Sequence, residues 1–321
     1  MKRIMKALIF ADKRNMTRED WLEQRKKGLG GSDSSGILGL NPYCSAFQVY
    51  CDKVDLLLEQ PDNEAMRQGR DLEEYVAKRF EEASGKKTKN CNYILQHPHY
   101  PFMLANVDRL IVGENAGLEC KTTSVLNKTD FEGGDVPPNY YTQCIHYMAV
   151  TGAEKWYLAI LVLNKGFYWF EIKRSEEEIG ALEAVELRFW KENVEAGVEP
   201  SPDGSERARE VLKALYPVGE DDLEIDLMPY EGELRRATEI DARIHDLEKE
   251  REQINQELKQ YMKEATVGYC GDYRVTWRNG ERRTFDTKKF VEEHRDMSLD
   301  SYYKHTATRT FMIKKLKEKE I

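Results

Sequence analysis

Apolar positions in this chain fall into a few periodic runs. Residues 102–112 (FMLANVDRLIV) are nearly continuous in apolar side chains, and Gly113-Glu-Asn-Ala-Gly117 and Leu-Glu-Cys-Lys follow them. That order predicts two strands joined by a five-residue loop. Residues 156–174 repeat the pattern, with a turn at Asn164-Lys165-Gly166. Elsewhere the period is helical. Leu72, Val76, Phe80 and Ala83 share one helix that stops at Gly85, residues 138–152 run from a proline to a glycine, and 175–196 form a third helix. Together these runs predict an α/β chain. Its mixed central sheet would contain 102–121 and 156–173, flanked by helices that include 69–84 and 138–151.

The C-terminal third reads differently. Gly197-Val-Glu-Pro200-Ser-Pro202-Asp-Gly204 is rich in residues that break regular structure. Beyond it Ile240, Ile244, Leu247, Arg251, Ile254, Leu258, Tyr261 and Ala265 alternate spacings of three and four, a heptad seam interrupted at Arg251. Such a seam predicts a long helix packed on a partner helix, from this chain or from another subunit. The run 273–286 predicts a hairpin turning at Asn279-Gly280, and Asp286 would cap a short helix ending near Arg295. The aromatic and basic tail from Tyr302 reads as an amphipathic end docked on the body, with single-strand binding by stacking and charge as the alternative. The expected division is therefore a domain over 1–197, a linker over 198–230, and an α+β extension over 231–321.

Composition narrows the class. The chain has 321 residues, 40% hydrophobic and 33% charged, which is globular and long enough for a sizeable core. Apolar stretches all fall short of a membrane span, and the short basic start lacks a signal-peptide cleavage pattern. The six cysteines are scattered without a CxxC or CxxH, which argues against zinc or iron–sulfur ligation and for reduced thiols in a cytosol. The net charge of −9 sits awkwardly with a nucleic-acid partner. Local basic clusters qualify that objection, among them Lys86-Lys87-Lys89, Arg282-Arg283 and Lys314-Lys315-Lys317.

The first strand pair also carries candidate chemistry. Side chains alternate along a strand, so Glu119 and Lys121 share a face. Pairing of 110 with 119 and of 108 with 121 would bring Asp108 to that face. Two carboxylates beside an ammonium are costly in a core unless paired or metal-bound, and hard oxygen donors suit Mg²⁺ or Mn²⁺. On these residues alone, a surface hairpin with ordinary exposed charges remains the alternative. Glu73 borders the buried stripe of its helix, and Tyr140, Gln143 and Tyr147 lie along one side of theirs.

In order and spacing, Gly69-xxx-Glu73, Asp108, Glu119-Cys-Lys121 and Tyr140-xx-Gln143 resemble the YqaJ-type viral recombinases. These are relatives of phage lambda exonuclease within the PD-(D/E)XK nucleases. Trp21-xxx-Arg25, Gly31-Ser32-Asp33-Ser34 and Asn41-Pro42-Tyr43 match that family's N-terminal motifs, and the resemblance spans roughly residues 15–195. It implies a restriction-endonuclease-like α/β core and a metal-dependent 5′–3′ exonuclease on linear double-stranded DNA. Two Mg²⁺ (or Mn²⁺) ions are implied, held by Asp108, Glu119, the Cys120 backbone carbonyl and Glu73. Lys121 would orient or deprotonate water, and Gln143 would position the scissile phosphate. Arg25, Ser32 and Tyr140 would contact DNA, the first two at a 5′-phosphate. The resemblance further implies 3′ overhangs passed to a RecT-type annealing protein, a homo-oligomer such as a ring of three, and a phage or prophage protein in a bacterial cytosol. Two alternatives stay open: an endonuclease of the same superfamily, or a non-catalytic DNA-binding assembly protein.

Overall fold

The computed structural model describes residues 3–56, 63–125, 128–131, 134–294, 297–304 and 308–315. The chain divides into two compact units, residues 1–216 and 217–321. In the first unit the order is β1 (Arg3–Ile4), β2 (Ala7–Asp12), α1 (Arg18–Lys26), α2 (Gly31–Ile37), α3 (Ala46–Lys53) and α4 (Glu64–Ser84). Then come β3 (Thr88–Asn90), β4 (Tyr93–Gln96), β5 (Leu104–Ala105), β6 (Arg109–Ile111), β7 (Ala116–Thr123) and α5 (Pro138–Thr151). The unit closes with β8 (Lys155–Val162), β9 (Gly166–Lys173), α6 (Glu176–Phe189) and α7 (Glu206–Leu215).

The fold is mixed α/β, as the periodicity predicts. Five strands in the order β3-β6-β7-β8-β9 form the main sheet, antiparallel except for the parallel pair β7–β8. A second sheet, β1-β2-β4-β5, lies beside it in the same unit. Alternation along β7 sorts its side chains between two layers. Ala116 and Leu118 meet Val76, Ala77 and Phe80 of α4 on one face. Gly117 takes the other face, in the larger core that holds Trp156, Leu158, Cys144 and Met148. Phe80 is fully buried, a contribution of about 1.5–3 kcal/mol from one side chain. Helices α4 and α5 both end on glycines in the left-handed conformation, Gly85 and Gly152, where a side chain would be strained.

Four details of the first unit differ from expectation. The apolar run 102–112 is not one strand, because β5 pairs with β4 in the second sheet while β6 pairs with β3 and β7 in the main one. The β6–β7 register sets Arg109 opposite Leu118 and Leu110 opposite Gly117, two residues away from the predicted pairing. An even shift preserves facing, so Asp108 still lies on the side of Glu119 and Lys121. The third is Gly117, which sits within β7 and not in a loop. A Cβ there would stand 2.3 Å from the Trp156 ring, so the glycine serves a close ring contact and not a turn. The stretch expected to be a linker also contains α7, whose Ala208 and Val211 are buried.

In the second unit α8 (Glu231–Met262) carries the heptad seam as far as Tyr261, with Ala265 past its end, and β10 (Val267–Cys270), β11 (Tyr273–Thr276) and α9 (Thr287–Glu293) follow. The hairpin turns at Gly271-Asp272 and not at Asn279-Gly280, since Cys270 pairs with Tyr273. Gly271 has φ of +54°, which suits a two-residue loop. Asp286 caps α9 as expected, accepting from the Lys289 amide at 3.0 Å. Arg295, Lys317 and the end of the tail lie outside the described residues.

A buried polar knot ties the layers of the first unit together. His146 Nδ1 on α5 is 2.8 Å from Glu186 Oε1 on α6 and 2.9 Å from Ser34 Oγ on α2, and its Nε2 is 2.9 Å from the Leu104 carbonyl. Neither His146 nor Glu186 is solvent-exposed. Burial opposes the charge on His146, but the Glu186 carboxylate and the hydrogen bonds outweigh it and raise the imidazole above its ordinary 6.5. A raised histidine contributes stability that is complete below 6.5 and lost as pH climbs through its folded value. His146→Ala should cost about 3–5 kcal/mol in denaturant unfolding, because it strands a buried carboxylate. Glu186→Gln should flatten the fall in stability above pH 6.5, and an unchanged pH slope would contradict the ion pair.

Candidate functional site

The main sheet presents its polar residues where β6 and β7 meet α5. Asp108 immediately precedes β6, and its Oδ2 accepts the Cys120 amide at 2.8 Å, which fixes its carboxylate against β7. On β7, Lys121 Nζ is 2.6 Å from Glu119 Oε1. Helix α5 completes the cluster through Gln143, whose Nε2 donates to Glu119 Oε1 and to Tyr147 Oη, both at 2.8 Å, while its Oε1 accepts from Lys121 at 2.7 Å. Tyr147 passes the chain on to the Asn106 carbonyl at 3.1 Å. The Lys121 ammonium also lies 5.3 Å from the Tyr140 ring centre, a cation–π distance.

The electrostatics follow from two buried carboxylates side by side. Burial pushes Asp108 well above the ordinary carboxylate range, and the charges of Glu119 and Glu73 push it further. Burial raises Glu119 too, against the pull of Lys121. Burial works against the charge on Lys121, yet Glu119 and Asp108 raise it above its ordinary value, so it stands as a firm ammonium. The Cys120 side chain packs towards Val76 and Phe80 on the opposite face, and burial raises its thiol well above normal. It is a packing residue and not a thiolate nucleophile.

Glu73 is placed differently from its neighbours. Arg109 has the opposite strand parity to Asp108 and points to the α4 side, where its Nη1 pairs with Glu73 and its Nη2 reaches Glu74 at 3.0 Å. Among the described residues no three acidic, histidine or cysteine side chains come together as a metal cage. Asp108 and Glu119 nevertheless suit a hard cation. Among the described residues Glu119 Oε2 is buried with no hydrogen-bond partner, and both carboxylates are raised by burial, the condition a bound cation relieves. The position directly after Asp108 could have pointed to Arg109, since parity sends it to the opposite face of the sheet, although not to a particular helix.

Arg25 and Ser32 lie on a neighbouring feature. Trp21, one turn before Arg25 on α1, donates to Asn106 Oδ1 at 3.0 Å, and the Arg25 guanidinium lies 5.2 Å from the Trp21 ring centre. Its Nη2 is 3.3 Å from Asp33 Oδ1. Asp33 is also 2.8 Å from the fully buried Lys53 ammonium. Burial alone would raise Asp33, but Lys53 and Arg25 bring it down to about 2. The Lys53 ammonium is also 3.2 Å from Asp52 Oδ2, so two carboxylates and two cations balance in this corner. Sequence reasoning missed Lys53, which sits on α3 with no local signal. Ser32 is exposed, and the adjacent Gly31 packs so closely on α5 that a Cβ would stand 2.6 Å from Gln143 Cγ. That contact sets the start of α2 beside the carboxylate cluster.

A family model for the YqaJ-like viral recombinase domain matches residues 20–154. Protein YqaJ of Bacillus subtilis (strain 168) is 39% identical over 315 residues, 97% of this chain and 98% of that protein. The chain belongs to the YqaJ family. Solved structures similar to this YqaJ-family chain include the alkaline exonuclease LHK-Exo of Laribacter hongkongensis, 19% identical with a TM-score of 0.46. Its complex with dAMP is 20% identical with a TM-score of 0.47, and each covers 56% of this chain and 94% of its own.

One consequence is testable without substrate. A carboxylate raised in the fold above its unfolded value of 3.8 loses stability as pH rises through the interval between them. Asp108→Asn should therefore raise the melting temperature in EDTA at pH 8 by roughly 2–4 °C, about 1 kcal/mol for a domain of this size. The gain should vanish near the ordinary carboxylate value, and a lower melting temperature for the variant at pH 8 would contradict it.

Proposed function

We propose that this YqaJ-family protein is a divalent-metal-dependent 5′–3′ exonuclease on linear double-stranded DNA. The observation that carries the reading is the convergence of Asp108, Glu119, Lys121 and Gln143 at one edge of the sheet, with a buried Glu119 oxygen left without a partner. Asp108, Glu119 and the Cys120 backbone carbonyl are the groups that would hold an Mg²⁺ or Mn²⁺ ion. Such an ion supplies Lewis-acid stabilisation of a phosphoryl oxygen and acidifies water.

In this reading Lys121, firmly protonated, orients the attacking water and offsets charge on the phosphorane-like transition state, and does not act as a base. Gln143 positions the water or the scissile phosphate through the amide it shares between Lys121 and Glu119. Attack on phosphorus breaks the bond to the departing 3′ oxygen and releases a 5′-phosphorylated nucleotide. Arg25 and Ser32 grip the 5′-phosphate, the guanidinium supplying charge-assisted hydrogen bonds to its oxygens. Tyr140 packs against the DNA near Lys121. The product strand with its 3′ overhang passes to a RecT-type annealing protein, and the protein acts as a homo-oligomer in a bacterial cytosol. No helix among the described residues is long and apolar enough to cross a membrane.

The decisive assay compares linear 5′-phosphorylated duplex with a covalently closed circle, in Mg²⁺ or EDTA. Loss of the linear form alone, dependent on metal, is expected, with Lys121→Ala slower by about 10²–10³-fold. Cleavage of the circle would replace this reading with an endonuclease. Equal rates on 5′-phosphate and 5′-hydroxyl ends would remove Arg25 and Ser32 from the assignment.

Glu73 serves a second ion in this reading, but it is engaged by Arg109. The DNA-free protein is therefore expected to bind one Mn²⁺ per chain in calorimetry, and Arg109→Met to bind a second. Adding Glu73→Gln to Arg109→Met should abolish the second site only. Two ions bound by the wild type would contradict this role for Arg109.

A further inference from the structure

The seam of α8 is a built interaction surface that the proposed chemistry leaves unused. Ile240, Ile244, Leu247, Ile254 and Leu258 follow the four-three alternation of a coiled coil along one helix of 32 residues. They are 42–61% exposed, and Tyr261 at the end of the seam is 89% exposed. Apolar side chains repeating at that spacing on an exposed helix carry the signature of a partner helix.

The charges beside the seam say which helix fits. With Ile244, Arg251 and Leu258 in the first core position of each heptad and Ile240, Leu247, Ile254 and Tyr261 in the second, the flanking positions are Arg236, Arg243, Glu250 and Glu257 on one side and Asp241, Glu248, Asn255 and Met262 on the other. In a parallel pair each residue of the first set faces the member of the second set five residues further along the other helix. That matches Arg236 with Asp241 and Arg243 with Glu248, and sets Glu250 and Glu257 against the uncharged Asn255 and Met262. No like charges meet at these flanks. Of the two antiparallel registers that keep most of the seam overlapped, one sets Glu250 against Glu257, and the other sets Glu250 against Glu250 and Glu248 against Glu248, which offsets its Arg243–Glu257 contacts. Arg251, the one charged core residue, has Glu250 of the neighbouring helix beside it in the parallel arrangement. Within the chain, Arg243, Glu248, Glu250 and Arg251 form no ion pair among the described residues, so these charges are free for a partner.

We infer that α8 associates in parallel and in register with α8 of a second copy of this chain. The occupant is another copy because the same helix supplies both halves of each charge pair. Arg251 fixes the register, since a polar residue in the seam tolerates only an alignment that gives it a carboxylate. This inference stands independently of the nuclease reading, and its test does not depend on activity.

The test is light scattering coupled to size-exclusion chromatography on the full chain, over a concentration series. The wild type is expected to associate through α8. The pair Ile244→Asp and Leu247→Asp, both at exposed positions, should abolish that association while circular dichroism keeps the helix signal. Arg243→Glu and Glu248→Arg should each raise the dissociation constant about tenfold, and the double exchange should restore it, since parallel alignment makes these two positions partners. A wild type that stays monomeric across the series would overturn the inference. So would association that the seam substitutions leave unchanged. Failure of the double exchange to restore affinity would overturn the parallel arrangement. A wild type that associates through α8 but digests no linear duplex in Mg²⁺ would count against the catalytic reading alone.

Discussion

Two carboxylates held side by side at the edge of a buried sheet are the constraint from which the rest of the first unit follows. Asp108 and Glu119 repel each other and resist ionisation when buried. A fold that keeps both must supply positive charge and hydrogen-bond donors from elements beyond the hairpin. Lys121 supplies the charge from the same face of β7, and the Cys120 amide and the Gln143 side chain supply donors. One oxygen of Glu119 is left over. A cluster this close to balance is expensive as architecture, and in the proposed function a divalent ion is what completes it.

Positioning that cluster is the work of α5. The helix contributes Gln143 and Tyr147 to the site and His146 to the knot with Ser34 and Glu186. One helix therefore couples the carboxylates to α2, α6 and the second sheet. Gly31 lets the start of α2 approach Gln143 within van der Waals distance, which sets the Arg25–Asp33–Lys53 corner next to the carboxylates. The knot leaves Glu186 Oε2 without a hydrogen-bond partner among the described residues, but its remaining bonds hold neighbouring sites on one frame. Arg109 sets a limit on the frame from the other side of the sheet. By pairing with Glu73 and Glu74 it offsets part of the negative charge of α4, at a position one residue from Asp108 and opposite in facing.

Much of this was legible in the chain before folding. Alternation along 116–123 put Glu119 and Lys121 on one face and Cys120 on the other. The helical stripes of 69–84 and 138–151 marked Glu73 as an edge residue and grouped Tyr140, Gln143 and Tyr147. Caps at Gly85, Gly152 and Asp286 followed from local stereochemistry. The pairing register was off by two residues, and facing survived because a strand has period two. Where local signals competed, as between Gly271-Asp272 and Asn279-Gly280, the choice fell to which strands could pair, and local preference does not encode that.

The sequence by itself determined the periods, the facing of side chains within each element, and the heptad seam of α8 with its charges, because these depend only on near neighbours along the chain. Tertiary structure alone decided which elements meet. It paired Arg109 with Glu73 across 36 residues and joined His146 to Glu186 across 40. It set Lys53 under Asp33 and left a Glu119 oxygen without a partner. Such contacts depend on the spatial arrangement of helices and strands distant in sequence, and the burial that shifts the carboxylates arises only once those layers have closed.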